Sequence, residues 1–181
     1  MRLFIAFPVD SITKGFIFSK TKHLRNIWKG SWVHPDNYHV TIQFLGETDP
    51  DMISVIDRNL NQIKNTVNAF QVNFKTVSLF PNVNRPKALV VTTVFNLTMN
   101  DIADSIQKKM KEIELIPDSP FTPHLTIARF KIKQDYHDLV TEPINIDLNE
   151  NISKFSLIES ILRKDGAIYK EIKSYTLKEG K

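Results

Sequence analysis

The sequence predicts an α+β fold with largely antiparallel sheets, built as two similar lobes that each offer one strand to a shared cleft. Three observations carry that expectation. Short apolar blocks of strand length outnumber stretches of helical spacing. Several strand candidates follow one another across turn-forming segments, as antiparallel hairpins do. A four-residue string also occurs twice, as His39-Val40-Thr41-Ile42 and His124-Leu125-Thr126-Ile127, 85 residues apart in a chain of 181.

Leu3 to Val9 reads as an apolar strand. Asp10 or Ser11 caps a helix expected to run to about Trp28, with Ile12, Phe16, Leu24 and Ile27 on its apolar side. Tyr38 to Leu45 is strand-like and stops at Gly46. Thr48 or Asp49 then opens a second helix with Pro50 in its first turn, where a missing N–H costs nothing. Ile53, Ile56, Leu60, Ile63 and Val67 recur along it at helical spacing. Phe70 to Phe80 and Ala88 to Phe95 are strands joined by the turn-rich segment from Pro81 to Pro86. A third helix spans about Thr98 to Ile113, before Pro117 and Pro120. Strands return at Phe121 to Phe130, Ile144 to Leu148, Phe155 to Leu162 and Ala167 to Leu177, with Asp165-Gly166 as the last hairpin turn. No low-complexity linker interrupts the chain, so residues 1–181 are expected to form a single domain.

Composition narrows the function. A hydrophobic fraction of 41% with 24% charged residues is that of a globular protein, and twelve Phe supply a core. The absence of cysteine removes disulfides, thiolate zinc sites and cysteine nucleophiles together, and it fits a cytoplasmic location. The first residues look faintly like a signal sequence, but Asp10 interrupts them and no small-residue cleavage site follows. No apolar stretch approaches the roughly 20 residues that span a bilayer. A net charge of +4 favours an anionic partner such as nucleic acid. No phosphate-cradling glycine loop is present among the five glycines, so triphosphate use is not indicated.

The repeated string carries the chemistry. Side chains alternate along a strand, so His39 and Thr41 point one way while Val40, Ile42 and Phe44 point into a core. His124 and Thr126 repeat the arrangement over Leu125 and Ile127. One such string is ordinary on a strand face; two among five histidines arise by chance in roughly one sequence per thousand. Opening a cyclic phosphodiester needs a base to activate water and an acid to protonate the departing sugar oxygen, and imidazole does either near neutral pH. Thr41 and Thr126 suit the nonbridging phosphate oxygens, and no metal is required. Spacing alone leaves the acid and the base unassigned.

The paired motif resembles the His-x-Thr-x pair of the two-histidine phosphoesterase superfamily. The surrounding blocks sharpen the resemblance: Arg2-Leu3-Phe4-Ile5-Ala6, Trp32-Val33, Tyr38 through Glu47, and Pro123 through Arg129. They are similar to the bacterial and archaeal RNA 2′,3′-cyclic phosphodiesterases, also called 2′-5′ RNA ligases. The resemblance implies a bilobal α+β fold, two mainly antiparallel sheets with flanking helices in a pseudo-twofold arrangement around a central cleft. It implies hydrolysis of RNA 2′,3′-cyclic phosphate ends to 2′-phosphates, with weak reverse 2′-5′ joining, RNA ends as partner and no cofactor or metal. The protein is expected to be a monomer. By position it makes His39 the proton donor to the leaving 3′ oxygen, His124 the base acting on water, and Arg129 a phosphate ligand. Arg129 stands at odd spacing from His124, so it reaches the cleft only if the strand twists, bulges or ends there. Small cyclic nucleotides, 2′-5′ oligonucleotides and a non-catalytic RNA-end-binding module are the alternatives.

Other candidates weigh less. His34, Asp36 and His39 match no metal-ligand spacing. His23 and His137 read as helix-surface residues, Arg85 and Lys87 as solvated loop charges, and Phe7, Trp28 and Trp32 chiefly as core or rim.

Overall fold

The computed structural model describes residues 1–132, 134–163 and 166–179. Strand β1 (Arg2–Pro8) buries Leu3 through Phe7 completely, as an apolar run predicts for a central strand. Helix α1 (Ser11–Thr21) starts on Asp10, whose carboxylate accepts the Thr13 N–H at 2.7 Å. It stops seven residues before Trp28. The Thr21 hydroxyl bonds back to the Ile17 carbonyl, and a tighter 3₁₀ turn over Lys22–Asn26 follows. The expected apolar side is broken, because Ile12 and Ile27 are 76% and 58% exposed and Ile17 is the buried residue.

A two-residue strand, β2 (Ser31–Trp32), is too short for periodicity to reveal and precedes β3 (His39–Glu47). Asp49 caps a 3₁₀ turn over Pro50–Met52 that leads into α2 (Ile53–Lys64), where Ile56, Leu60 and Ile63 form the buried stripe. Strands β4 (Phe70–Phe80) and β5 (Ala88–Thr93) precede α3 (Leu97–Glu112), capped by Asn96. Then come β6 (His124–Arg129), a short helix α4 (His137–Thr141) that the sequence pattern did not reveal, β7 (Asn145–Ile152), β8 (Lys154–Arg163) and β9 (Gly166–Thr176). Strands β8 and β9 pair down to Arg163 and Gly166, whose φ of +134° suits glycine. Asp165 of the expected turn lies outside the described residues.

The strands form one antiparallel ladder in the order β7-β4-β5-β6-β3-β1-β8-β9, with β2 added beside β6. The two expected sheets are its two four-stranded wings. They join at the seam between β6 and β3, through the single pair Val40 and Leu125. Each wing therefore ends, at the seam, on the strand that carries one His-x-Thr string. Leu3, Ile5 and Phe7 of β1 belong to the main core, which includes the buried faces of α2 and α3. Phe4 and Ala6 point the other way and pack with Ile158 and Tyr169. The outer parts of the wings meet on the core side, where Asn68 bridges Lys178 and the buried Glu150 of β7 accepts the Asp10 N–H and the Thr13 hydroxyl. No described helix is long and apolar enough to cross a membrane.

Candidate active site

Both motif strands carry a bulge at the same motif position. Between Ile5 and Ala6 the partner of β1 jumps from Gln43 to Thr41, leaving Ile42 as the extra residue. Between Leu89 and Val90 the partner of β5 jumps from Ala128 to Thr126, leaving Ile127 extra. An extra residue reverses the inside–outside alternation beyond it. After Thr126, both Ile127 and Ala128 are buried and Arg129 emerges on the same face as His124. The odd spacing of Arg129 is thereby accommodated. The same reversal corrects one expectation: Gln43 is buried and Phe44 is 50% exposed, so Phe44 does not point into the core.

Thr41, Phe44, His124, Thr126 and Arg129 line one cavity of about 380 Å³ along the seam. His39 joins it through Thr41: its Nε2 lies 2.9 Å from the Thr41 hydroxyl. The two imidazoles are anchored alike. His39 Nδ1 is 2.6 Å from the Asn37 carbonyl and His124 Nδ1 is 2.7 Å from the Thr122 carbonyl, each two residues upstream. A carbonyl only accepts, so Nδ1 carries the proton in both rings and Nε2 is the atom free to exchange one.

Their surroundings differ. The His39 ring packs against Phe4, with centroids 5.0 Å apart, and against the edge of Tyr169 at 5.3 Å. His124 stacks on Phe80 at 4.5 Å. Burial pushes His39 down to about 4; the Asn37 carbonyl opposes this, while Arg129, Lys14 and His124 add to the lowering. Burial also lowers His124, opposed by the Thr122 carbonyl and assisted by Arg129. Lys14 reaches this region with its Nζ on the Asp36 carbonyl at 2.7 Å. The free site is thus electropositive around two neutral imidazoles, an environment that favours an anion.

Several sequence candidates fall elsewhere. Phe7 is wholly buried and its ring meets Phe70 and Phe121 edge-on, so it is core. Trp28 is buried beside Phe130 and Tyr136. His34 is exposed and pairs with Asp36 at 3.4 Å, and no three His, Asp or Glu side chains cluster among the described residues. Lys87 lines the cavity whereas Arg85 does not. Sequence reasoning missed Phe4, Phe80 and Tyr169 as neighbours of the histidines. Phe4 stands in an unbroken apolar run, where nothing marks which face it takes. Tyr169 lies 130 residues from His39 and meets it only through the β3-β1-β8-β9 order.

A family model described as LigT like phosphoesterase matches residues 18–90, which include the first motif. An RNA 2′,3′-cyclic phosphodiesterase of Aquifex aeolicus is 30% identical over 155 residues, 82% of either chain. One of Archaeoglobus fulgidus is 29% identical over 97% of this chain and 99% of its own. Among solved structures, a Thermus thermophilus protein superposes with a TM-score of 0.84 at 24% identity over 99% of both chains. E. coli LigT complexed with 3′-AMP does so at 0.77 and 17% identity over 97% of both. The fold is shared with both structures, and the likeness to the Aquifex enzyme extends over most of either chain: this chain is an enzyme of the LigT-like phosphoesterase family, to which the RNA 2′,3′-cyclic phosphodiesterases belong.

Proposed function

We propose that residues 1–181 act as one bilobal domain that hydrolyses RNA 2′,3′-cyclic phosphate ends to 2′-phosphates, without metal or cofactor, by acid–base catalysis through His39 and His124. The observation that carries this is the matched anchoring of the two rings, each with Nδ1–H on a carbonyl, with His124 lining the cavity and His39 Nε2 on the Thr41 hydroxyl that lines it. The names of the relatives in Aquifex and Archaeoglobus support the substrate.

His124 takes a proton from water as the water oxygen bonds to phosphorus. The P–O3′ bond breaks, and O3′ receives the proton that His39 carries. The P–O2′ bond remains, so the product is a 2′-phosphate with a free 3′ hydroxyl. Arg129, Thr41 and Thr126 hold the nonbridging oxygens as their charge grows. Arriving phosphate charge offsets the cations around His39 and raises its proton affinity, which prepares it as the acid. In 2′-5′ joining a 5′ hydroxyl takes the place of water: His124 accepts its proton, O5′ bonds to phosphorus, and O3′ leaves with the proton from His39. In this reading the protein acts on RNA ends as a monomer.

The test is end-group analysis of the product from a cyclic-phosphate RNA in excess EDTA. A 2′-phosphate is expected. Activity that vanishes with chelation and returns only with a divalent ion overturns the metal-free mechanism. Binding without turnover makes the protein an RNA-end-binding module, and faster turnover of cyclic mononucleotides or 2′-5′ oligonucleotides reassigns the substrate.

A further inference from the structure

The cavity along the seam has two unlike ends. Val40 pairs antiparallel with Leu125, so the chain after Thr41 runs beside the chain before His124. By the same register His39 stands across from Thr126, on the side that continues to Arg129. The first end carries the rings of Phe44 and Phe121 beside Gln107, Asp118 and Ser119, with no cation among them and the Phe44 ring half exposed. The opposite end is cationic. Lys87 lines it together with Arg129 and precedes Ala88, the register partner of Arg129. Its backbone is held on both sides, by its own N–H on the Phe80 carbonyl and by the Phe130 N–H on its carbonyl, each at 2.8 Å. The Lys87 side chain enters no ion pair among the described residues.

A ribose 2′,3′-cyclic phosphate has a matching asymmetry. The nucleobase leaves from C1′, beside C2′, and the rest of the RNA leaves from C4′, beside C3′. With the cyclic phosphate at the histidines, base and 5′ chain point to opposite ends of the C2′–C3′ axis. An exposed aromatic ring suits a base face, and a free ammonium suits an internucleotide phosphate. The reversed pose would bring a charged phosphodiester to Phe44, Phe121 and the carboxylate of Asp118, where no cation meets it.

We propose that the cavity reads RNA polarity: Phe44 stacks on the terminal nucleobase, Lys87 holds the adjoining internucleotide phosphate, and this orientation dictates which P–O bond breaks. The inference rests on the hydrolytic function above. Seating the base at Phe44 turns O2′ toward that end and O3′ toward His39. Water then bonds to phosphorus opposite O3′, the P–O3′ electron pair takes up the proton on O3′, and P–O2′ survives.

Three substrates test it: a cyclic-ended dinucleotide, the corresponding 2′,3′-cyclic mononucleotide, and ribose 2′,3′-cyclic phosphate lacking a base. Phe44→Ala should lower the kcat/KM ratio of nucleotide over baseless substrate by about tenfold, with Phe44→Tyr restoring it. Lys87→Ala should lower the ratio of dinucleotide over mononucleotide by about fivefold and reduce the salt slope for the dinucleotide by about one. Phe44→Ala should also release a share of 3′-phosphate product. Variants that slow all three substrates alike overturn the base and phosphate seats, and exclusive 2′-phosphate from Phe44→Ala overturns the link to regiochemistry. Wild-type protein that turns over none of the three overturns the hydrolytic function itself, and this inference with it.

Discussion

The two motif strands share a string, a bulge and an anchoring hydrogen bond, yet they make two different sites. His39 is enclosed by Phe4 and Tyr169 and bonded to Thr41, whereas His124 opens onto the cavity with one face on Phe80. Five residues past each histidine, the same bulge delivers Phe44 on one strand and Arg129 on the other. Duplicated backbone geometry thus supplies two imidazoles anchored alike, and the residues around it make one end of the cavity aromatic and the other cationic. On the proposed function that difference matters, because a cyclic phosphodiester has two nearly alike ester bonds and only one is to break.

The sharpest way to break the comparison is to delete either ring. His39→Ala and His124→Ala should each reduce kcat about 10²- to 10⁴-fold, the usual contribution of one proton transfer. A substrate with an activated 3′ leaving group needs little help from an acid but still needs a base. It should rescue His39→Ala and leave His124→Ala slow; the opposite pattern exchanges the two roles.

Arg129 comes next. Losing a charge-assisted phosphate contact typically removes about 1.5–3 kcal/mol, so Arg129→Ala should cost roughly one to two decades in kcat/KM with the fold intact. Near wild-type turnover by a folded variant would return Arg129 to an ordinary surface residue.

A smaller effect concerns pH. One ring must be protonated and the other neutral, so kcat/KM should rise and then fall with pH, the two limbs describing the coupled pair. Both proton affinities are lowered by burial, which places the optimum on the acid side of the ordinary histidine value of about 6.5. Tyr169→Ala uncovers His39, relieves the largest cause of its lowering and should move a limb to higher pH. A profile that stays put would mean that Tyr169 does not enclose the ring in solution.

The smallest expected effect is on stability. Because His39 is held down to about 4 in the fold, its neutral form is favoured there. That contribution is fully present above the unfolded value of about 6.5 and is lost as pH falls from there through about 4. Chemical unfolding across this window should show wild type losing more stability than His39→Gln. Equal slopes would contradict an enclosed neutral ring.

Local patterns made much of this legible. Alternation identified β3 and β6 and the shared face of His39 with Thr41 and of His124 with Thr126, because strand geometry obliges residues two apart to face together. Helical spacing located α2, where Ile56, Leu60 and Ile63 turned out buried. Short elements escaped: two residues of β2 and five of α4 are too few to display a period. The end of α1 was misjudged because Ile12 and Ile27, though apolar, lie exposed. An apolar residue marks a possible interior position, and only packing decides whether it is used.

By itself, then, the sequence determined the α+β class and the duplicated histidine–threonine strings, since both follow from interactions between near neighbours in the chain. Tertiary structure decided the parity of Arg129 and Phe44, because a bulge is a mismatch between two strands and neither strand alone contains it. It also decided that Phe4 and Tyr169 enclose His39 while Phe80 backs His124, since those contacts depend on which strands lie side by side. The proton affinities followed from there, because desolvation is set by everything that surrounds a ring and not by the residues adjoining it in the chain.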